Sequence, residues 1–326
     1  MDPIELLELC RRGAFEGAPR DLVVPRVFST GDFQAVWKRD PQKVRRILDE
    51  TLTGPFPGDG LELLLKSGAF YALIPEMEAM RNLGDDPEAA LHKDVWEHTK
   101  QVVAGVPNQL ELRWSALMHD VGKSRTRRVS PRGKVTFHNH DVVGARMVDQ
   151  IEERIGLFAG DTSLHVTVRS LVLNHLRPAG YKKSWSDSGV RRLLTDLGGM
   201  RNFERLMALS RSDLTTKNAN KRAGALARGR ELEERVRTIF SQDNAPKLPK
   251  GTMGLIIEKK LCAVGPQLNA VRGWLEAMMQ DGRLPSDKDA EFYATVGFDM
   301  YLVEHAKLAE SYHQQMQDIL NANRTG

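Results

Sequence analysis

Apolar residues recur three and four positions apart along most of this chain, the spacing that gathers them on one face of an α-helix. Residues 42–52 follow it, and residues 61–73 repeat it after a connection punctuated by Pro55, Pro57, Gly58 and Gly60. The same spacing predicts an amphipathic helix over Val95–Val106 and a more apolar one over Leu110–His119. Helices are also expected over Val142–Ile155, Leu164–Leu176, Phe203–Leu214 and, long and charged, Arg222–Phe240. Pro178 stops the fourth of these six. Lys123 to Lys134 reads as a basic loop turning at Pro131-Arg-Gly133, and Lys134-Val-Thr-Phe137 is too short to imply a sheet. Gln242–Gly251, with Pro246, Pro249 and Gly251, reads as a linker before a last helical unit reaching about Asn321.

That pattern predicts an all-α protein, a helical bundle flanked by helical N- and C-terminal subdomains. The expected divisions are a neck-like region over 1–90, a central domain over 91–241 and a tail over 242–326. A chain of 326 residues buries a substantial core. Cys10 and Cys262 are too isolated for a disulfide framework or a cysteine zinc site. No apolar stretch approaches the ~18 residues of a membrane helix, and Met1-Asp2-Pro3 opens no signal peptide, so cytoplasm is the expected location and no membrane partner is expected.

The formal charge of +4 hides an uneven distribution. From Arg177 to Arg235, fourteen Lys/Arg face seven Asp/Glu, and the run Lys123–Lys134 holds six cations without an acid. Each run adjoins histidine and aspartate residues that can bind a metal. Basic surface beside a cationic centre suits a phosphate-bearing substrate; a solvated helix face and a charged loop are the plainer alternative.

Those residues occur in order: His98, the adjacent pair His119-Asp120, His140, His175 and Asp213, each behind an apolar helical stretch. A neutral nitrogen beside a charged oxygen suits a first-row divalent ion. Four of these groups (His98, His119, Asp120, Asp213) suffice for one ion, and all six suffice for two. Facing helices of a bundle bring ligands together from distant sequence positions. A histidine at a helix end also has a plainer role, hydrogen-bonding a terminal carbonyl. His92, His138, His165, His305 and His313 fit no motif, and surface or packing roles are expected for them.

The segments Asp94-Val-Trp-Glu-His98-Thr, Leu117-Met-His119-Asp120-Val-Gly-Lys123 and Val135-Thr-Phe-His-Asn-His140-Asp-Val-Val-Gly-Ala-Arg146 resemble the HD-domain metal-dependent phosphohydrolases. More narrowly, they look like the HD region of bacterial CCA-adding tRNA nucleotidyltransferases. Ser212-Asp213-Leu-Thr-Thr-Lys217-Asn218 is similar to that family's next motif, and Gly60–Met80, Gly265-Pro266 and Asp281-Gly282-Arg-Leu-Pro285 extend the likeness from roughly residue 45 to residue 300. The family's polymerase head, with its glycine turn, paired carboxylates and Arg-Asp motif, has no counterpart here. Asp287-Lys-Asp289 has the carboxylate spacing but reads as a helix cap followed by an acidic turn. Nucleotide addition is therefore expected to be absent from these residues.

The resemblance implies one or two divalent transition ions (Mn, Ni, Co, Fe or Zn) on His98, His119, Asp120 and Asp213. It leaves His140 and His175 as second-ion ligands, phosphate contacts or proton donors. Asp120 is expected to orient the attacking water as well, Lys123 to meet a nonbridging phosphate oxygen, and Arg125, Arg127, Arg128, Arg146 and Lys217 to hold substrate. Implied activities are phosphodiesterase and phosphatase chemistry on nucleotides or RNA ends, such as 2′,3′-cyclic phosphates and 2′-phosphates, tRNA among them. Two alternatives stand beside this one: an RNA- or partner-binding module with a structural metal, and a hydrolase of free nucleotides such as a dNTP or an alarmone. Oligomeric state is not legible.

Overall fold

A computed structural model describes residues 2–19, 24, 27–83, 94–131, 135–262 and 264–306. Among these, helix dominates. The chain forms two compact units, residues 1–236 and 237–326.

The first unit begins with α1 (Pro3–Glu16), α2 (Thr30–Arg39) and α3 (Pro41–Thr53). Both α1 and α2 start in capping boxes, Asp2 with Glu5 and Ser29 with Asp32, which satisfy amides that the first turn leaves open. These two helices lie in sequence from which no element is read above. The apolar run 61–73 is not one helix but two, α4 (Pro57–Lys66) and α5 (Ala69–Leu73). The break falls at Ser67-Gly68, where Gly68 takes φ +83°, a left-handed turn that glycine adopts without a Cβ clash. Helix α6 (Pro75–Asn82) follows, and α1 packs on both α3 and α4. His92 lies outside the described residues.

The centre of this unit comprises α7 (Val95–Gly105), α8 (Leu110–Met118), the short α9 (Lys123–Thr126), α10 (His140–Ile155), α11 (Thr162–Asn174), α12 (Asp187–Leu197), α13 (Met200–Asp213) and α14 (Ala219–Asp243), whose end crosses the unit boundary. Helix α8 packs on α7 and α11, α10 on α11, and α13 on α7. This places the ends of five helices around one buried space. Trp114, Leu117, Met118, Val148, Ile151, Leu171 and Leu206, all nearly inaccessible, line the surrounding core. The basic stretch after Lys123 is more ordered than a loop. It forms α9 and a two-stranded antiparallel ribbon, β1 (Arg128–Val129) and β2 (Val135–Thr136), with Arg128 opposite Thr136. Arg132, Gly133 and Lys134 lie outside the described residues. Helix α12 is strongly amphipathic, with Val190, Leu193 and Leu197 buried, yet no helix is read there above.

The second unit contains α15 (Thr252–Glu258), α16 (Pro266–Gln280) and α17 (Ala290–Phe292), which runs into a π-helical turn at Tyr293–Gly297 and helical residues 298–306. Its core is built on Ile256, Leu275, Met279, Leu284, Tyr293 and Phe298. Asp289 caps α17 by accepting from the Phe292 amide, as its sequence context predicts. His313 and the stretch up to Asn321 lie outside the described residues. No helix among the described residues is long and apolar enough to cross a membrane.

Candidate metal centre

The six groups singled out in the sequence converge, and most of them sit at helix ends. His119 caps α8 and Asp120 follows in the next turn, His140 opens α10, His175 caps α11 and Asp213 closes α13. Only His98 lies inside a helix, in the first turn of α7 after its Asp94 cap. The C-terminal ends of α8 and α11 are useful here because they leave carbonyls unbonded. The Nδ1 of His119 lies 2.8 Å from the Ala116 carbonyl, that of His175 2.6 Å from Val172, and that of His140 2.7 Å from Phe137. Asn139 adopts φ +61° just before α10, a left-handed conformation that asparagine tolerates, and the turn it makes brings His140 back onto Phe137. A carbonyl only accepts, so each of these Nδ1 atoms carries a proton, and the inward Nε2 is the nitrogen left to bind an ion once it is free of its own proton. The plainer role of a helix-end histidine is thus fulfilled by one nitrogen while the other points inward.

The inward atoms form two groups, His98–His119–Asp213 and Asp120–His140–His175, with the donor atoms of each group within 4.8 Å of one another. His98 Nε2 lies 2.8 Å from Asp213 Oδ1, and His119 Nε2 lies 3.7 Å from the same oxygen. Asp120 joins the groups: Oδ2 is 3.2 Å from His119 Nε2, and Oδ1 is 3.3 Å from His140 Nε2. Lys123 Nζ stands 2.6 Å from Asp120 Oδ2 and over the Phe137 ring. His98 Nδ1 faces not a carbonyl but the Thr215 hydroxyl, 3.2 Å away.

This arrangement fits a cation. His140 and His175 bring their Nε2 atoms within 3.1 Å of each other, so with both rings neutral two lone pairs face one another beside a carboxylate. His119 Nε2 is buried and makes no well-aligned hydrogen bond, with Asp120 and Asp213 oxygens 3.2 and 3.7 Å away, and a ligated ion would satisfy it. Burial disfavours charge on His119, but the Asp120 and Asp213 carboxylates outweigh it and push its pKa up to about 10. Burial, and then the charge of His119, hold His175 down at about 4. Burial works against ionised Asp120, yet His119, His140 and Lys123 keep its pKa well below the usual carboxylate range. The site therefore combines two anionic carboxylates with inward-facing imidazoles, the mixed N/O donor set of a first-row divalent ion.

The HD domain family model matches residues 89–239. Residues 89–239 are an HD domain. The chain is also similar to the A-adding tRNA nucleotidyltransferase of Deinococcus radiodurans, 35% identical over 126 residues, 37% of this chain and 29% of the relative. The CC-adding tRNA nucleotidyltransferase of Thermus thermophilus is 34% identical over 112 residues, covering 32% and 25%. The multifunctional CCA protein of Halorhodospira halophila is 28% identical over 165 residues, covering 47% and 38%. The matches thus span well under half the length of these relatives.

A cleft of about 390 Å³ opens onto His98 and Asp213 of the first candidate group, lined also by Val95, Lys123, Leu214, Thr215 and Thr216. Asp213 is the ligand candidate that reaches it most openly, with a third of its side chain accessible against a few per cent for Asp120 and His119. Lys123 reaches this cleft. The other basic residues expected to hold substrate do not line it: Arg125 bonds Gln150, Arg128 bonds the Arg127 carbonyl, and Arg146 and Lys217 are exposed. His138 is exposed, His165 is committed to Asp149, and His305 faces the Tyr301 carbonyl. Sequence reading missed Thr215. Its only signal there is its place two residues after Asp213.

Proposed function

We propose that the HD domain is a metal-dependent phosphohydrolase acting on nucleotide phosphoesters, with RNA ends such as 2′,3′-cyclic phosphates as its substrate class. One observation carries the reading: six donor groups converge, three of the imidazoles anchored through Nδ1 so that Nε2 turns inward, and Asp120 turns one oxygen toward each group. His98, His119 and Asp213 would hold one ion and Asp120, His140 and His175 would hold a second where two are bound. A divalent ion there supplies Lewis acidity, making water nucleophilic near neutral pH and neutralising phosphate oxygens. Asp120 orients the water, and Lys123, on the cleft wall, donates to a nonbridging phosphate oxygen. Water oxygen bonds to phosphorus as the water gives up a proton to solvent in the open cleft, the bond from phosphorus to one ribose oxygen breaks, and that oxygen takes up a proton from the same solvent. His175 serves as ligand rather than proton donor, since at about 4 its pKa leaves it neutral near pH 7. The nucleotidyltransferase relatives, whose names carry tRNA, support an RNA end over a free nucleotide.

A structural metal in a non-catalytic module is disfavoured by the open cleft, because structural sites are closed while catalytic ones keep an accessible position. The test is elemental analysis of freshly purified protein, followed by turnover of bis-p-nitrophenyl phosphate and of 2′,3′-cyclic nucleotides. Bound transition metal with metal-dependent turnover supports the proposal. Stoichiometric metal with no phosphoester turnover returns the protein to the structural reading.

A further inference from the structure

The metal cleft has a neighbour. A second cleft of about 660 Å³ is lined by Gln101, Gly105, Pro107, Ala208, Arg211, Ser212, Leu214, Thr215, Thr216 and Arg222. It shares Leu214, Thr215 and Thr216 with the metal cleft, so the two lie on either side of one short stretch of chain directly after Asp213. Its lining contains two arginines and no acid. Arg222 stands exposed in the first turn of α14, and among the described residues no acidic side chain pairs with it. Arg211 lies 2.5 Å from Glu233, itself outside this lining.

The molecule offers a control for whether such a lining is ordinary. The cleft beside α4 and α7, about 720 Å³, also carries lysines, but Asp59, Glu62 and Glu97 share its wall. There Lys100 Nζ lies 2.7 Å from Glu62 and 2.6 Å from Glu97. Its cations are neutralised locally and leave little field for an anionic ligand. The cleft beside the metal centre keeps the charge of Arg222, while Arg211 is paired with Glu233, and it adds the hydroxyls of Ser212, Thr215 and Thr216 and the amide of Gln101, groups that hydrogen-bond phosphate and sugar oxygens.

We propose that this second cleft binds a second phosphate of the substrate, the one on the 5′ side of the nucleotide whose terminal phosphate enters the metal cleft. This rests on the phosphohydrolase reading of the centre. Phosphates recur at a fixed spacing along a nucleic-acid strand, so a strand end that seats its last phosphate by Asp213 and Lys123 must carry its preceding phosphate to an adjoining surface. Leu214–Thr216 is the wall across which that step is made, and Arg222 is the principal cation on the far side. A nucleoside cyclic phosphate without a 5′-phosphate fills the first cleft only.

Three substrates separate these possibilities: uridine 2′,3′-cyclic phosphate, its 5′-phosphorylated form, and a dinucleotide with the same cyclic end. Wild-type protein is expected to show KM values roughly tenfold lower for the latter two, the scale of one charge-assisted contact. In Arg222→Gln that ratio collapses toward one, and Arg222→Lys retains part of it. Equal KM for all three substrates in wild-type protein, or a ratio untouched by Arg222→Gln, overturns the proposal. If no substrate is turned over, the reading of the centre fails separately. Polarisation binding of a labelled dinucleotide 3′-phosphate then decides: several-fold weaker binding by Arg222→Gln supports a phosphate site, and identical binding refutes it.

Discussion

The two candidate ligand groups of the HD domain contain similar residues and differ in what holds them. His140 and His175 are locked to backbone carbonyls of their own chain segments and are buried, as is Asp120 beside them. In the other group, His119 is held the same way, but His98 leans on the Thr215 hydroxyl and Asp213 reaches the cleft. The buried group is preorganised by helix ends whose geometry the core fixes. The open group depends on the segment just after α13, which also lines both clefts. Rigidity on one side and access on the other is what a centre needs if it is to retain an ion and still admit phosphate.

The largest effect is expected where the groups meet. Asp120→Ala should release metal from both, since each loses its shared carboxylate, and should lower phosphoester turnover by about 10³-fold or more, roughly 4 kcal/mol. Asp213→Ala should empty only the open group. Metal-to-protein ratios for the two variants distinguish these outcomes, and undiminished metal and turnover in Asp120→Ala and in His119→Ala would end the metal reading.

Next comes a change that attacks the buried group through packing. A Cβ at Gly122 would lie 2.1 Å from the His140 carbonyl and 2.7 Å from the Gly144 amide, so the turn after Asp120 and the start of α10 approach more closely than any side chain permits. Gly122→Ala should cost about 1–3 kcal/mol in denaturant unfolding and should displace His140 from Asp120. It is expected to lower metal content in the buried group more than in the open one. A stable variant with full metal loading would show that α10 shifts freely.

Proton release sharpens the contrast. In the open group, His119 holds a proton up to about 10 because the flanking carboxylates outweigh its burial, and an ion must displace that proton. Affinity there should rise with pH, by about tenfold per unit through the neutral range. In the buried group, His175 already lacks its proton above about 4, so His175 contributes no proton release near pH 7. Calorimetry in buffers of different ionisation enthalpy, with Mn²⁺ as probe, should record about one proton released per ion at the open group. Equal pH dependence of both sites would erase the distinction.

How far the sequence discloses this arrangement follows from the same contrast. Candidate ligands on strongly periodic helices, such as His98 and His175, are legible because the 3.6-residue pattern places them on the core-facing side. The order of the six groups carries the rest. Thr215 is invisible beforehand because its partner lies 117 positions away and a threonine after a helix has many ordinary roles. The division of 61–73 at Gly68 is local, but one glycine inside an apolar run does not outweigh the run. The β1–β2 ribbon rests on too few residues to leave a period. The run holding Arg211 and Arg222 suits a phosphate-bearing substrate already in the sequence, but which of its fourteen cations share a cleft with Leu214–Thr216 appears only in the fold.

Thr215 provides the next test. Thr215→Val keeps the shape but removes the hydroxyl facing His98 Nδ1, which should weaken metal binding at the open group by about tenfold, the lower end for an outer-shell partner. Thr215→Ser should restore it. Loss without rescue by serine would assign Thr215 to packing, and no loss would make the 3.2 Å contact incidental.

The smallest effect should come from the basic run that the sequence makes most conspicuous. Arg125 and Arg128 are engaged with Gln150 and the Arg127 carbonyl and do not line the metal cleft, so their influence on an anionic substrate is through the long-range field. Replacing Arg125, Arg127 and Arg128 together with glutamine should weaken binding of an RNA end by roughly two- to fivefold at low salt and flatten its salt dependence, because fewer counterions are released. Turnover of bis-p-nitrophenyl phosphate, whose chemistry lies at the ligand groups, should persist. Field effects are screened beyond about 10 Å at 0.1 M salt, so the difference from wild type should shrink as salt rises. A loss that survives high salt and extends to the small substrate would place these arginines in contact with the reacting phosphate. The open group would then be only part of the substrate's seat.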